Sequence, residues 1–403
     1  MNSYLGLLRT RGVARIMTAQ LIARFPSGML SLAFLLHIER LHDSYGAAGL
    51  VLAATSIGQA IAGPLTSRWM GAWGMRPVLG LTLAVSASSL AAIALSPTLP
   101  IPVYMALGFI GGLSTPPVQP AVRTIYPKMV NSRQLTPLFS LDASAQEVIW
   151  VLGPVIATVV ATQISTALAI LVALAFQVGG GLWFILSPEV GRVRIPRSRR
   201  NLGAVLGKPT VLLSTVTGFL LVAACAATEA GVVAAFGHDS PESGIVLAVF
   251  AVGSLAGGLS LGHLPISPWS LARRMIAVFA GMTLAALSLD FWWLSVTLLI
   301  AGVGIAPALT VMFATVSSSV RFSETAEAYG WIGTGQLIGA ALGSAAAGFL
   351  IDRVEAPGAF VAAAVCAGLG VVIPALFRGA QPDLRGRDAG PIPDTGPVPL
   401  PPS

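Results

Sequence analysis

Charged residues are scarce in this chain: they make up 10% of its 403 residues, whereas hydrophobic residues make up 55%. The charges cluster in short intervals between apolar stretches of about 20 residues, the length that an α-helix needs to cross a bilayer. These stretches are too long and too evenly apolar for membrane-barrel strands, in which apolar and polar residues alternate. The sequence therefore predicts a polytopic helical membrane protein.

Cysteine, histidine and phosphate-binding motifs are also scarce. The two cysteines, Cys225 and Cys366, both fall inside apolar stretches, where buried thiols indicate packing rather than a disulfide. The four histidines have no metal-ligand spacing, and no Gly-Lys-Ser/Thr loop is present. The sequence thus offers no catalytic set, so we expect no cofactor, no enzymatic activity and an ion gradient as the driving force.

Twelve apolar stretches are long enough to span a membrane, and they must be helical because backbone groups in lipid have to satisfy their own hydrogen bonds. The ninth and tenth are separated by only a few residues, which include Trp292. The twelve predicted spans are residues 15–38, 46–66, 77–95, 101–122, 138–161, 167–186, 210–235, 244–264, 272–289, 293–316, 328–350 and 358–377.

The basic residues predict the orientation. If the N-terminus is cytoplasmic, 20 of the 23 Lys and Arg residues lie in inside segments, and only Arg40 and Arg353 lie outside. Because basic loops resist translocation, both termini are expected on the cytoplasmic side of a bacterial inner membrane. The net charge of +7 is then a marker of topology, and no nucleic-acid partner is expected.

The spans divide into two halves, 1–186 and 210–378, joined by a basic cytoplasmic linker, 187–209, and followed by a Pro-rich tail, 379–403, for which we expect disorder. The halves resemble each other at a constant offset of 195 residues. Gly49, Val51, Leu52, Ala53, Gly58 and Gly63 match Gly244, Val246, Leu247, Ala248, Gly253 and Gly258. This repeat predicts an all-α fold of two pseudo-symmetric six-helix bundles.

The connection between spans 2 and 3 carries a partial family motif. Gly63, Leu65 and Arg68 match the form G-x-L-x-D-R-x-G-R-R, while Ser67 replaces the acid and Arg76 falls out of register. On these residues the chain resembles a twelve-helix transporter of the major facilitator superfamily, over roughly residues 10–378. The resemblance implies gating or structural roles for Gly63, Arg68 and Arg76.

A second partial motif lies in span 5. Drug/proton antiporters of that family carry G-x-x-x-G-P-x-x-G-G, of which Gly153 and Pro154 are retained here. This likeness favours an efflux-type transporter, although a Gly-Pro pair also serves simply as a helix kink. The arginine that family antiporters often place in the middle of span 4 has no counterpart in residues 106–109.

Charged residues inside spans are costly and therefore candidates for function. Arg24 and Glu147 each lie nine residues into a span, at a depth of about 13–14 Å, so we predict that they form a pair. That pair is either a substrate or proton site or a permanent structural salt bridge. Asp142 and Arg123 lie nearer the inner end and are predicted to form a structural or gating pair.

Further polar groups complete the candidate site. Glu229, near the outer end of span 7, is either a proton-entry group or a side chain that reaches the interface. Gln20, Gln119 and Gln336 are glutamines within the spans, where an uncharged amide either bonds to a neighbouring helix or lines a cavity.

The leading hypothesis is a secondary active transporter, monomeric and in contact with membrane lipids, that exports an apolar or amphipathic small molecule in exchange for protons. The low number of charges in the spans favours an apolar substrate. One alternative is an importer of a sugar or small metabolite. An alternative of another class is a non-transporting sensor or lipid-modifying protein, which would require an interfacial catalytic cluster.

Overall fold

The computed structural model describes residues 2–198, 200–237, 240–387 and 389–394. The described part of the chain is almost entirely helical. The N-terminal half contains α1 (Asn2–Arg9), α2 (Val13–Arg24), α3 (Pro26–His42), α4 (Tyr45–Trp73), α5 (Met75–Leu95), α6 (Ile101–Leu113), α7 (Val118–Ile125), α8 (Ser132–Gln163), α9 (Thr166–Leu186) and α10 (Pro188–Arg192). The C-terminal half contains α11 (Pro209–Phe236), α12 (Pro241–Leu261), α13 (Ser270–Ala285), α14 (Phe291–Ser319), α15 (Phe322–Val354) and α16 (Ala356–Leu376).

Two spans are interrupted by proline. Span 1 consists of α2 and α3, which meet at Phe25, directly before Pro26. Span 4 consists of α6 and α7, separated by the segment that contains Pro116 and Pro117. Proline lacks the N–H that a helix interior requires, so each interruption has a local cause.

Eleven of the predicted spans coincide with helices that are long and apolar enough to cross a membrane. The ninth, predicted at 272–289, is the 16-residue helix α13, which covers only about 24 Å at 1.5 Å per residue. It ends early because α14 begins at Phe291, where the Asp290 carboxylate accepts hydrogen bonds from the backbone N–H groups of Trp292 and Trp293, both at 3.0 Å.

The helices form two six-span bundles with the same internal packing. In the N-terminal bundle α4 packs against α6, α3 against α8, and α9 against α2 and α5. In the C-terminal bundle the equivalent pairs are α12 with α14, α11 with α15, and α16 with α11 and α13. The two bundles meet through α4 with α15 and α8 with α12.

The repeated glycines occupy equivalent crossings. A side chain at Gly58 would collide with the backbone of α6, and one at Gly253 would collide with the backbone of α14. At the bundle interface, Gly63 faces α15 and Gly258 faces α8. Small residues allow membrane helices to approach closely, which explains why these glycines recur in both halves.

The first and last described residues and the linker lie on one end of the molecule, which we call the linker face. Tyr4 donates a hydrogen bond to Gly258 O at 3.3 Å, Arg15 pairs with Glu189, and Thr210 donates to Ala380 O at 2.5 Å. The opposite end is called the open face.

The described part of the tail is packed, which differs from the expected disorder. The backbone N–H of Leu384 donates to Ile266 O at 3.0 Å, Ala389 is buried, and Ile392 pairs with the connection between α14 and α15. Composition predicted disorder because the segment has few apolar residues, but backbone hydrogen bonds to the buried residues Ile266 and Val320, in connections between helices, hold it. Residues 395–403 of the predicted tail lie outside the described residues.

Candidate substrate and coupling site

A cavity of about 1560 Å³ lies between the two bundles. It extends from the level of Arg24 and Tyr329 to Pro241 and Ile351 near the open face. Most of its wall is apolar, with leucine, valine, alanine and proline from nine of the spans. Its charged lining residues are Arg24, Glu147 and Glu229. The cavity can therefore hold a mainly apolar molecule in contact with a few charged groups.

Aromatic residues close the cavity toward the linker face. The ring of Phe139 in α8 lies 6.4 Å from that of Phe313 and 6.3 Å from that of Tyr329, both in the C-terminal bundle. The guanidinium carbon of Arg123 lies 3.4 Å from the centroid of Phe313, a cation–π contact between bundles. These contacts would have to separate before the linker face could open.

Asp142 is the centre of a buried polar network. Its carboxylate accepts hydrogen bonds from Arg123 Nε at 2.9 Å, Gln20 Nε2 at 3.0 Å and the Tyr126 hydroxyl at 3.2 Å, and it pairs with Arg24 Nη1 at 3.4 Å. Asp142 is completely buried. Its negative charge is thus shared between two arginines, and the predicted contact between Arg123 and Asp142 is present.

Glutamines complete the hydrogen bonding of Arg24. Nη1 donates to Gln20 Oε1 at 2.8 Å, and Nη2 donates to Gln146 Oε1. With its amide oxygen directed toward the guanidinium groups, Gln119 accepts from Arg123 at 2.8 and 2.9 Å and from Arg24 at 3.1 Å. Gln20 and Gln119 therefore hold the two arginines in the network.

The predicted pairing of Arg24 with Glu147 is wrong. Equal depth was a poor guide because it ignores the direction of each side chain: the Arg24 guanidinium extends back one helical turn, bonds to Gln20 and reaches Asp142. Glu147 lies five residues beyond Asp142, about 140° around α8, and so faces a different neighbour. Both Arg24 and Glu147 nevertheless line the same cavity.

Glu147 instead contacts the other bundle. Its Oε1 accepts a hydrogen bond of 2.8 Å from the hydroxyl of Ser254 in α12. None of the ion pairs among the described residues involves Glu147 or Glu229. Glu229, from α11, is exposed to the cavity. Two carboxylates without a cationic partner in the described part of the chain therefore face the cavity.

Gln336 also lines the cavity, from α15, where its side chain lies beside Gly218 of α11. A Cβ added at Gly218 would lie 3.4 Å from Gln336 Cγ. Gln336 therefore lies at the contact between α15 and α11 and also faces the cavity.

Two of the motif residues join the bundles near the linker face. Arg68 in α4 pairs with Glu327 in α15 at 3.2 Å and also donates to Arg200 O. A Cβ at Gly63 would lie 2.9 Å from both Gly330 O and Thr334 Oγ1. Arg68 and Gly63 thus lie at a contact that depends on the relative position of the bundles.

The other motif residues have partners within the N-terminal bundle. Arg76 donates to Ile185 O at 2.9 Å and to Ser187 O at 3.2 Å, at the end of α9. Gly153 allows α8 to cross α3, since a Cβ there would lie 2.9 Å from Gly28 Cα. Pro154 lies inside α8 and lines the cavity.

Sequence reasoning did not single out Ser254, Tyr126 or Glu327. Serine and tyrosine in an apolar span give little signal, because each also occurs as a packed residue with a local hydrogen bond. Glu327 lies just before the predicted eleventh span. Its position opposite a conspicuous motif arginine becomes evident only once α15 begins at Phe322.

Comparison with known proteins identifies the fold. The human organic anion transporter MFSD10 (TETRAN) superposes with a TM-score of 0.70 at 18% identity, covering 91% of this chain and 98% of that chain. A bacterial homologue of the iron transporter ferroportin, in an outward-facing state, gives 0.72 at 14%, covering 92% and 100%. The E. coli fucose:proton symporter gives 0.70 at 13%, covering 91% and 98%.

At these identities the similar structures indicate the fold alone. No curated protein matches the sequence. The family model described as Major Facilitator Superfamily matches residues 16–289 and 225–400, which together include most of the chain. The chain therefore belongs to the major facilitator superfamily and is a multi-pass membrane transporter.

Proposed function

We propose that this transporter exports an apolar or amphipathic small molecule in exchange for protons, by alternating access between the two bundles. The observation that carries the proposal is Glu147, a cavity carboxylate of one bundle whose hydrogen-bond donor, Ser254, belongs to the other. A carboxylate that faces a cavity without a cationic partner can bind and release a proton as its access to water changes. Protonation would change a contact that joins the bundles.

The apolar wall supports the substrate class. A strongly ionic substrate would require several complementary charges, but the Arg24 guanidinium is already bound to Asp142, Gln20 and Gln146. A molecule with a large apolar surface would gain about 25 cal/mol for each Å² removed from water. The cavity would therefore select substrates by shape and apolar area.

The proposed orientation places the linker face in the cytoplasm, because the inside segments then carry 20 of the 23 basic residues. The cavity would then open to the outside in a bacterial inner membrane. The chain is proposed to act as a monomer, because the two bundles of a single chain supply the walls of the cavity.

Proteoliposomes provide the test. Candidate substrates are first chosen by comparing the growth inhibition of a deletion strain with that of an overexpressing strain. We expect substrate transport accompanied by substrate-dependent proton flux in the opposite direction. Transport that is unaffected by a pH gradient would exclude proton coupling, and accumulation in the strain that overexpresses the protein would indicate import.

A further inference from the structure

The last described residues, 389–394, run along the linker face, and we call them the C-terminal strap. Ile392 N donates to Val320 O at 2.9 Å, and Phe322 N donates to Ile392 O at 3.0 Å. These two bonds lie on either side of Arg321, with which Ile392 forms a parallel β-bridge. The strap therefore holds the connection between α14 and α15 in an extended conformation.

The strap also caps the N-terminus of α15. The Asp394 carboxylate accepts from Ser323 N at 3.2 Å and from the Ser323 hydroxyl at 2.5 Å. The first N–H groups of a helix lack partners within the helix, and a negative charge beside them is favourable. Phe322 and Ser323 therefore obtain their backbone partners from a segment about 70 residues away in sequence.

The first turns of α15 make contacts with the other bundle. The Phe322 ring lies beneath Lys128 Nζ, with 4.6 Å between the nitrogen and the ring centroid. Glu327, five residues further on, pairs with Arg68. Both contacts join the bundles at the linker face, and both require α15 to begin where the strap holds it.

The strap also faces the N-terminal bundle across the interface between the two bundles. A cavity of about 250 Å³ separates the two. Its walls are Pro127, Lys128 and Val130 from the connection between α7 and α8, Ser132 and Leu135 from the start of α8, Phe322 from α15, and Gly390, Pro391 and Pro393 from the strap. Opening of the linker face would pull these walls apart.

We propose that the C-terminal strap stabilises the state in which the linker face is closed, by clamping the start of α15 in the position from which Phe322 and Glu327 contact the N-terminal bundle. The tail of this transporter then takes part in the conformational equilibrium. The proposal depends on alternating access but not on the identity of the substrate or on proton coupling.

The test measures distances across the linker face by pulsed electron paramagnetic resonance in the full-length protein. Spin labels are attached at Arg133→Cys in α8 and Arg273→Cys in α13, both exposed, in a Cys225→Ser, Cys366→Ser background. The test variant combines Ile392→Pro, which removes the N–H that binds Val320 O, with Asp394→Ala. The matched control, Asp383→Ala, breaks an exposed ion pair with Arg385 in the same tail.

Loss of the strap contacts should raise the ratio of linker-open to linker-closed protein by on the order of fivefold, the effect of losing about one net hydrogen bond. The control should leave the ratio unchanged. An unchanged ratio in the test variant, or an equal rise in the control, would overturn the proposal. If the proline variant expresses poorly, Asp394→Ala alone decides the matter, since it keeps every backbone bond and should shift the ratio in the same direction.

Discussion

At the scale of single residues, Asp142 and Glu147 have opposite environments although they share one helix. Asp142 is enclosed by two arginines, a tyrosine and a glutamine, whereas Glu147 has one hydroxyl partner and faces the cavity. The first arrangement gives a carboxylate two cationic partners and further donors, whereas the second leaves a carboxylate with a single hydroxyl donor beside the cavity. Substitution of the two residues should therefore have different consequences.

Asp142→Asn should destabilise the protein. The change leaves the buried charges of Arg24 and Arg123 without a counter-ion, which costs on the order of 3–5 kcal/mol in a buried pair. Thermal unfolding in detergent should show a clearly lowered melting temperature. Full stability of Asp142→Asn would mean that the arginines are compensated elsewhere.

Glu147→Gln should change transport instead of stability. The amide can still accept from Ser254 but cannot exchange a proton at neutral pH, so proton-driven transport should be lost while substrate binding or exchange persists. Ser254→Ala provides the matched comparison, because it removes the donor and keeps the carboxylate. Full proton-driven transport by a well-expressed Glu147→Gln protein would eliminate the coupling role.

At the scale of helices, glycines lie at two kinds of helix crossing, one within a bundle and one between the bundles. Gly153 meets Gly28 inside one bundle, while Gly63 meets Gly330 between bundles. A methyl group at either crossing would lie too close to the backbone of the facing helix. The consequences differ because bundles can move relative to each other, whereas helices within a bundle stay packed.

Gly153→Ala should therefore lower the stability of the N-terminal bundle, by about 1–3 kcal/mol as for other overpacked sites. Gly63→Ala should leave the melting temperature nearly unchanged and favour separation of α4 from α15. Thermal unfolding and the linker-face label distance measure the two effects. Equal destabilisation by both substitutions would contradict this division.

At the scale of the whole molecule, the ion pair of Arg68 with Glu327 is a contact across the bundle interface at the linker face. Arg68→Gln should favour opening of the linker face, by about 1 kcal/mol or less because Arg68 is partly exposed. Arg76→Gln is the matched control, since the hydrogen-bond partners of Arg76 among the described residues lie at the end of α9 in its own bundle. Distance measurements across the linker face should change in the first variant and stay constant in the second.

The sequence alone determined the membrane class, the helical spans and the division into repeated halves. These features depend on the length of apolar runs and on the spacing of glycines, and both are local properties of a chain in lipid. The length of the ninth span was overestimated. Hydropathy shows neither that α13 ends at Ala285 nor that Asp290 caps the start of α14.

Only the tertiary structure decided which charges meet. Equal depth predicts a pair of Arg24 with Glu147, but the Arg24 side chain reaches Asp142, and the rotation of about 140° along α8 turns Glu147 toward Ser254 of the other bundle. The packed tail likewise depends on loop ends that are distant in sequence. Depth along a helix can be counted from residues, whereas the face that each side chain presents to its neighbours emerges only when the helices pack.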